Sequence, residues 1–480
     1  MRNGKNPQFN MPVEPHALNE ALPWRVQLIV APDSRWLLLP IAAVGLGSLA
    51  GSYHGSVSVL LGGGVAVLAA LATVKSPHMA IVALLLLYGI PSSATDLNGP
   101  LYRLNGPSCA FLMLLSVMVQ AARRRRNIST YAWQPAALFV ILILGMVTHQ
   151  LRSSSYRDEL YVCAAIALTG FSTIQSREQL NEVIFALWLL GVTMAVVSLG
   201  SAFKDQASAV LDADSASRYQ VEGRDQNYFS YIGGVAVACA LGALAEKRLA
   251  ISRLLQYLML GSCLVVFMGL GIQGSRSLVV AILAAAIVFA FVVRCRPSAL
   301  LAFALLAAGV ACVAIFTPFA SVWIARFQEQ SLNTGDGRTI FWQQALSVFS
   351  DSSLDMIFGY GWEGSGVTLG LSEGGDFRST HNMFLALLLD SGLVGLGLMA
   401  TFLGRLIWRL LFTNCVAPRF GLVLLAYCLA EAQFLEVQRL CLFWCMMCVV
   451  AAAAQPALDR TNFPPRRPSW PLRVMDAQIH

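Results

Sequence analysis

An all-α, polytopic integral membrane protein with about 12–14 transmembrane helices is expected from three features of the chain. First, only 12% of its 480 residues are charged, against 57% hydrophobic, and the mean hydropathy is +0.64. Soluble domains carry roughly 25% charged residues, so this chain has too little polar surface to cover a water-soluble body of its size. Second, apolar runs recur along the whole chain at about the 20 residues that an α-helix needs to cross the hydrocarbon core. Third, basic residues divide unevenly between alternate loops, as they do in inner-membrane proteins.

The chain opens with a polar, proline-containing tail, 1–35, that has no early apolar core. No cleavable signal peptide is therefore expected, and the first span acts as the insertion signal. Hydropathy places spans at 36–50, 57–74, 79–90, 109–121, 132–149, 160–174, 183–203, 228–245, 254–272, 278–293 and 299–316. After a long polar segment, further spans lie at 383–403, 420–434 and 440–454. The domain organisation is thus a cytoplasmic tail (1–35), a helical bundle (36–317), a large outer loop with a short amphipathic helix (318–380), C-terminal transmembrane helices (381–455) and a second cytoplasmic tail (456–480). Several spans are shorter than about 17 residues, which suits tilted pairs or re-entrant pieces and makes the helix count a range.

Orientation follows from the positive charges. With the N-terminus in the cytoplasm, 22 of the 33 Lys and Arg fall on the inner side and 11 on the outer. The run Arg123, Arg124, Arg125 and Arg126 is the strongest inner marker, and an anchor beside anionic lipid explains it better than a nucleic-acid site. The net charge of +7 has the same origin, and no nucleic-acid partner is expected. None of the 11 cysteines lies in the two long outer loops, so no disulfide framework is implied. Cys441, Cys445 and Cys448 share a helical face without a histidine nearby and read as small packing residues rather than a zinc site.

The outer loops carry the chemistry. Arg218, Arg224, Asp225 and Asn227 lie in one, Ser275 and Arg276 in a short second, and Arg326, Arg338 and Arg378 in the long third, which ends at His381. Arginine on the outer side runs against the insertion bias and needs another explanation. For Arg326 or Arg378 taken singly, snorkelling or a salt bridge suffices. Of the six histidines, His16 and His480 lie in tails, His78 on the inner side, and His54 and His149 outside without a motif. His381 alone is bracketed by arginine loops and the mouth of a span, an arrangement suited to an anionic substrate and a neutral base.

The order of residues sharpens this. Arg338 and Trp342 sit in GDGRTIFWQQAL, a Phe-Gly-Tyr-Gly turn follows at 358–361, then Arg378, and His381-Asn382 opens an apolar helix carrying Gly392 and Gly395. This order resembles the O-antigen ligase/polymerase superfamily, bacterial membrane glycosyltransferases acting on sugars carried by undecaprenyl pyrophosphate. The spacing from His381-Asn382 to Gly392 and Gly395 is similar to the histidine motif of the ligases. The resemblance implies an inner-membrane enzyme with a periplasmic site. It would transfer a glycan from undecaprenyl pyrophosphate to an acceptor hydroxyl with inversion, without nucleotide, metal or other cofactor. Its partners are the lipid-linked donor, the glycan acceptor and the bilayer. Arg218, Arg276 and Arg338 match the arginine positions of the superfamily and would hold the pyrophosphate, with His381 activating the acceptor. His381, Arg338 and Arg218 are the catalytic candidates; Arg276, Arg224, Asn227, Trp342, Asn382 and Arg378 are the substrate-binding ones.

Guanidinium groups suit this task because they pair two N–H donors with phosphate oxygens and stay charged. Alternatives stay open at several positions. Asp212-x-Asp214 is a short acidic pair that a divalent metal could use, although the reading without a metal is preferred. Asn382 serves equally as a helix cap, and Trp342, on a short amphipathic helix, as an interfacial anchor. Asp390 is an intramembrane carboxylate, either part of the site or paired with a buried arginine. The glycine-rich segment 359–375 suggests a mobile flap over a glycan groove. A ligase would use the lipid A core as acceptor, and a polymerase of O-antigen or exopolysaccharide would use another lipid-linked repeat. A transporter or flippase would instead show mid-membrane charges or two related halves, neither of which stands out here. A reporter active only outside the cytoplasm should be active when fused after Gly366 and silent at the C-terminus; the opposite pattern would invert the site.

Overall fold

The computed structural model describes residues 69–89, 115–116, 118–119, 131–148, 157–206, 226–249, 251–273, 275–293, 297, 300, 303–304, 307–308, 311, 338–350, 352–370 and 380–456. Arg218, Arg224, Arg378, Asp212, Asp214, the spans at 36–50 and most of 299–316, and both tails lie outside these residues. Within them the regular structure is helical, as expected. We label the helices α1 (Met79–Gly89), α2 (Trp133–Thr148), α3 (Arg157–Thr169), α4 (Arg177–Gln206), α5 (Gln226–Ala245), α6 (Arg253–Gln273) and α7 (Arg276–Val293). They are followed by α8 (Arg338–Phe349), α9 (Ser353–Phe358), α10 (Gly364–Leu369), α11 (Met383–Phe412), α12 (Pro418–Glu431) and α13 (Cys441–Ala453).

Among the described residues, Arg177–Gly200, Arg276–Val293 and Met383–Phe412 are long and apolar enough to cross a membrane, and five shorter apolar helices accompany them. Their outward faces are apolar: Leu283, Ile287 and Phe291 form an exposed stripe on α7, and Val140, Leu144 and Val147 another on α2. Such faces aggregate in water but are what lipid tails solvate. Together with the sparse charge, they make this a membrane protein.

The interior packs through small residues, as helices do when lipid and side chains are equally apolar. A Cβ on Gly191 of α4 would come within 2.7 Å of the Ala236 side chain on α5, and one on Gly269 of α6 within 2.5 Å of the Ala195 carbonyl. The centre is taken by α13, of which every residue is buried. Protein on all sides explains why its 13 residues, about 20 Å of helix, are apolar all round. Cys441, Cys445 and Cys448 are buried there without a disulfide, in keeping with a packing role.

The two ends of the bundle differ in chemistry. At one end Arg248 donates to the Asn414 side chain (2.7 Å) and the Cys415 carbonyl (2.6 Å), while Glu246 accepts from the Arg419 backbone. Arg405 and Arg409 lie over the Tyr131 ring at 5.6 and 5.4 Å, and Gln455 reaches the Ile174 carbonyl. These are loops that charge counting puts on one side of the membrane, and the fold gathers them at one end. The opposite end holds Asn227, Arg276, Trp342, His381 and the turn between α12 and α13.

The segment 359–370 is not the mobile flap its glycines suggest. Gly359, Trp362 and Glu363 are buried, and the turn is hydrogen-bonded into the bundle: the Trp362 N–H donates to the Leu142 carbonyl of α2 at 3.2 Å. Its glycines serve close approach. Gly361 has φ +94°, and a Cβ there would lie 2.0 Å from the Met146 nitrogen. Residues 371–375 lie outside the described residues. Gly361→Ala should therefore cost about 2 kcal/mol or more, from the left-handed backbone and the clash with α2. The readout is a lower thermal midpoint in detergent, with native helix content at low temperature.

Candidate functional site

The site begins with a break in a helix. Gly392 has φ 62° and ψ −166°, which splits α11 into a short entry segment and a long continuation. A break leaves backbone carbonyls without helical donors, and inside a bundle these must be satisfied. Here the Tyr360 and Gly361 N–H groups donate to the carbonyls of Leu389 and Asp390, both at 2.8 Å. The contact is close enough to demand glycine on both sides. A Cβ on Gly359 would stand 2.4 Å from the Asp390 carbonyl carbon, and one on Gly392 would stand 2.3 Å from the Ile357 oxygen.

This arrangement fixes Asp390, which is 1% exposed. Arg439, from the turn between α12 and α13, meets it with one terminal nitrogen at 3.2 and 2.8 Å from the two carboxylate oxygens. The other terminal nitrogen of Arg439 lies 2.6 Å from Glu436 Oε2. Burial works against the guanidinium's charge, but Asp390 and Glu436, with Glu363 behind them, outweigh it and raise the Arg439 pKa. Of the two readings open for Asp390, the structure shows the pairing with an arginine.

The same network reaches His381. Glu436 Oε1 accepts from the backbone N–H and from the hydroxyl of Thr380, both at 2.7 Å. The Thr380 carbonyl accepts from the Trp342 indole N–H at 2.9 Å. On the other side Asn382 caps α11, accepting from the N–H groups of Phe384 (2.9 Å) and Leu385 (3.1 Å). Its amide nitrogen donates to the Gln433 carbonyl at 3.3 Å, and the Met383 N–H donates to the Ala432 carbonyl at 2.8 Å. Between these two anchored neighbours His381 is half-buried, with a left-handed φ of 47° that few non-glycine residues adopt.

Arg276 and Asn227 come to the same end. Arg276 opens α7 and is half-buried, and Ser275 before it donates to the Asn227 side chain at 3.3 Å and contacts Ser277 at 3.1 Å. The buried Glu431, last residue of α12, closes this corner; the next residue is Ala432, whose carbonyl holds Met383. Arg338 is the first residue of α8, the helix that carries Trp342 against Thr380. Thus Arg276, Asn227, Trp342, His381 and Asn382 gather at one end, with the start of α8. Trp342 and Asn382 hold the His381 turn there through the bonds just given. Sequence reading passes over Thr380, Glu436 and Arg439; the one available signal was Asp390, an intramembrane carboxylate that required a cation somewhere on the same side.

The fold and this corner define a class: a multi-helix membrane protein that brings a histidine, an arginine and amide side chains together at one end of its bundle. A family model described as O-Antigen ligase matches residues 261–400, from within α6 to the middle of α11. Over those residues the chain is similar to the O-antigen ligases that the model describes. It takes in Arg276, Arg338, Trp342, Arg378, His381, Asn382 and Asp390, and leaves Glu436 and Arg439 outside. No curated protein matches the chain.

Asp390→Ala should lower stability by roughly 3 kcal/mol, because it leaves one terminal nitrogen of the largely buried Arg439 against an apolar side chain while Glu436 keeps the other. Asp390→Asn should cost less, since an amide oxygen still accepts from Arg439. Thermal unfolding of the two variants in the same detergent ranks them.

Proposed function

We propose that the chain is a periplasmic-face glycosyltransferase of the inner membrane that moves a glycan from undecaprenyl pyrophosphate to an acceptor hydroxyl. The observation that carries this is the held turn at His381: a half-buried imidazole, fixed on both sides, at the end of the bundle that also presents Arg276 and the start of α8. The family match over 261–400 supports the reaction class.

In this mechanism a ring nitrogen of neutral His381 accepts the proton of the acceptor hydroxyl. The acceptor oxygen forms a bond to the anomeric carbon from the face opposite the pyrophosphate. The bond from that carbon to the phosphate oxygen breaks, and its electron pair leaves with undecaprenyl diphosphate. Inversion follows from the opposed faces, and His381 returns its proton to water. Arg218, Arg276 and Arg338 bind the diphosphate as its charge grows, with Arg224, Asn227 and Arg378 around the donor and acceptor. Near the bilayer, where the dielectric is lower, such contacts are stronger than in water. Asp390 and Glu436 are engaged by Arg439, and in this reading cationic side chains meet the leaving group.

The acceptor we favour is the lipid A core, which makes the chain an O-antigen ligase in lipopolysaccharide assembly. The spacing of His381, Asn382, Gly392 and Gly395 supports that choice over joining lipid-linked repeats. Purified enzyme with a lipid-linked donor, assayed in excess EDTA, tests the chemistry. His381→Ala should lose about 100-fold or more in rate, and Arg338→Lys should also be severely impaired, because lysine keeps the charge without the paired donors. Wild-type rates in both variants, or activity that needs magnesium, would overturn the mechanism. A deletion strain tests the acceptor: full-length polymer left on the lipid carrier supports a ligase, and core capped by a single repeat supports a polymerase.

A further inference from the structure

Glu436 is placed unlike an ordinary salt-bridge residue. Its side chain is 8% exposed, and its two oxygens face opposite ways chemically. One oxygen binds Arg439, whose other terminal nitrogen is held by both oxygens of Asp390. The second oxygen takes two donors from Thr380, the residue before His381. Thr380 is fully buried, so its N–H has no water to fall back on, and its hydroxyl chooses between Glu436 at 2.7 Å and the more distant Asn382 carbonyl at 3.0 Å. Buried ion pairs are poor sources of stability, because desolvation cancels much of the attraction. What they do well is fix one arrangement among several. The arrangement fixed here is a left-handed φ at His381, which costs of order 1 kcal/mol or more and persists only when its surroundings over-determine it.

We propose that Glu436 is a positioning residue for His381, acting through Thr380, with Arg439 and Asp390 as the clamp that keeps Glu436 aimed. This rests on His381 being the base of the reaction proposed above. The carboxylate orients the backbone on which the imidazole is carried, and the proton never visits it. Loosening that backbone misplaces the base relative to the acceptor hydroxyl, and small misplacements of this kind are costly in rate. The donor lipid, held by arginines elsewhere at this end, is unaffected. The signature of the role is therefore a fall in kcat with KM for the donor unchanged.

Steady-state rates of four variants, with thermal midpoints in the same detergent, test it. Thr380→Val removes the hydroxyl donor and keeps the branched shape; kcat should fall about 10-fold, with donor KM within about 2-fold and the midpoint near wild type. Thr380→Ser should restore at least half of the wild-type kcat. Glu436→Gln keeps an oxygen for Thr380 but loses the ionic tie to Arg439, and should fall between wild type and Thr380→Val. Full kcat in Thr380→Val and Glu436→Gln beside an inactive His381→Ala would overturn the positioning role while leaving the mechanism standing. A rise in donor KM at constant kcat, or failure of Thr380→Ser to rescue, would also overturn it. Activity surviving in His381→Ala would instead remove the reading on which it rests.

Discussion

One glycine opening sets the geometry of this protein. At Gly392 the longest apolar helix loses its own hydrogen-bond pattern, and the turn at 359–361 replaces the missing donors from outside. That exchange needs two backbones in near contact, which only glycine at 359 and 392 permits. The short segment above the break, Met383 to Ser391, is thereby a separate rod, seated between the turn and the α12–α13 connection. Everything polar at this end is referred to that rod: Asp390 near its foot and His381 at its head. In a continuous helix the Leu389 and Asp390 carbonyls would be hydrogen-bonded within their own chain, and the turn at 359–361 would have no place to dock.

The two ends of the bundle then divide the work between electrostatics of different kinds. At the basic end, arginines meet backbone carbonyls, an amide and an aromatic ring in small separate contacts. At the His381 end, Arg439 is surrounded by acids, and the half-buried Arg276 lies on another element. Arg439 ties Asp390 and Glu436 together, which offsets part of the cost of burying them here.

Much of this was legible in the sequence. Sparse charge and recurring apolar runs identify a helical membrane protein, and alternate loops sort by charge into the two ends that the fold assembles. His381, Arg276 and Asn227 are found together at one of them. What could not be read was who holds whom. Asp390 and Arg439 are 49 residues apart, and Thr380 and Glu436 are 56 apart. Such pairs are set by how α11 seats against the neighbouring connection, not by any local pattern. Trp342 and Asn382 show the same limit: their types suit substrate, but the indole N–H is spent on Thr380 and the asparagine oxygen on the helix cap. The glycines of 359–361 suggested motion because a sequence records their freedom and not the contacts that use it up.

The burial of α13 bears on how the protein is made. This helix is 13 residues long and wholly enclosed, so its place in the membrane is provided by helices synthesised before it. The connection leading into it carries Glu436 and Arg439, the last polar pieces that the His381 turn needs. A ribosome therefore finishes His381, Thr380 and Asp390 well before their partners exist. During that interval the histidine turn is untied. The histidine turn is therefore complete only at the close of translation, when the final hairpin slots home.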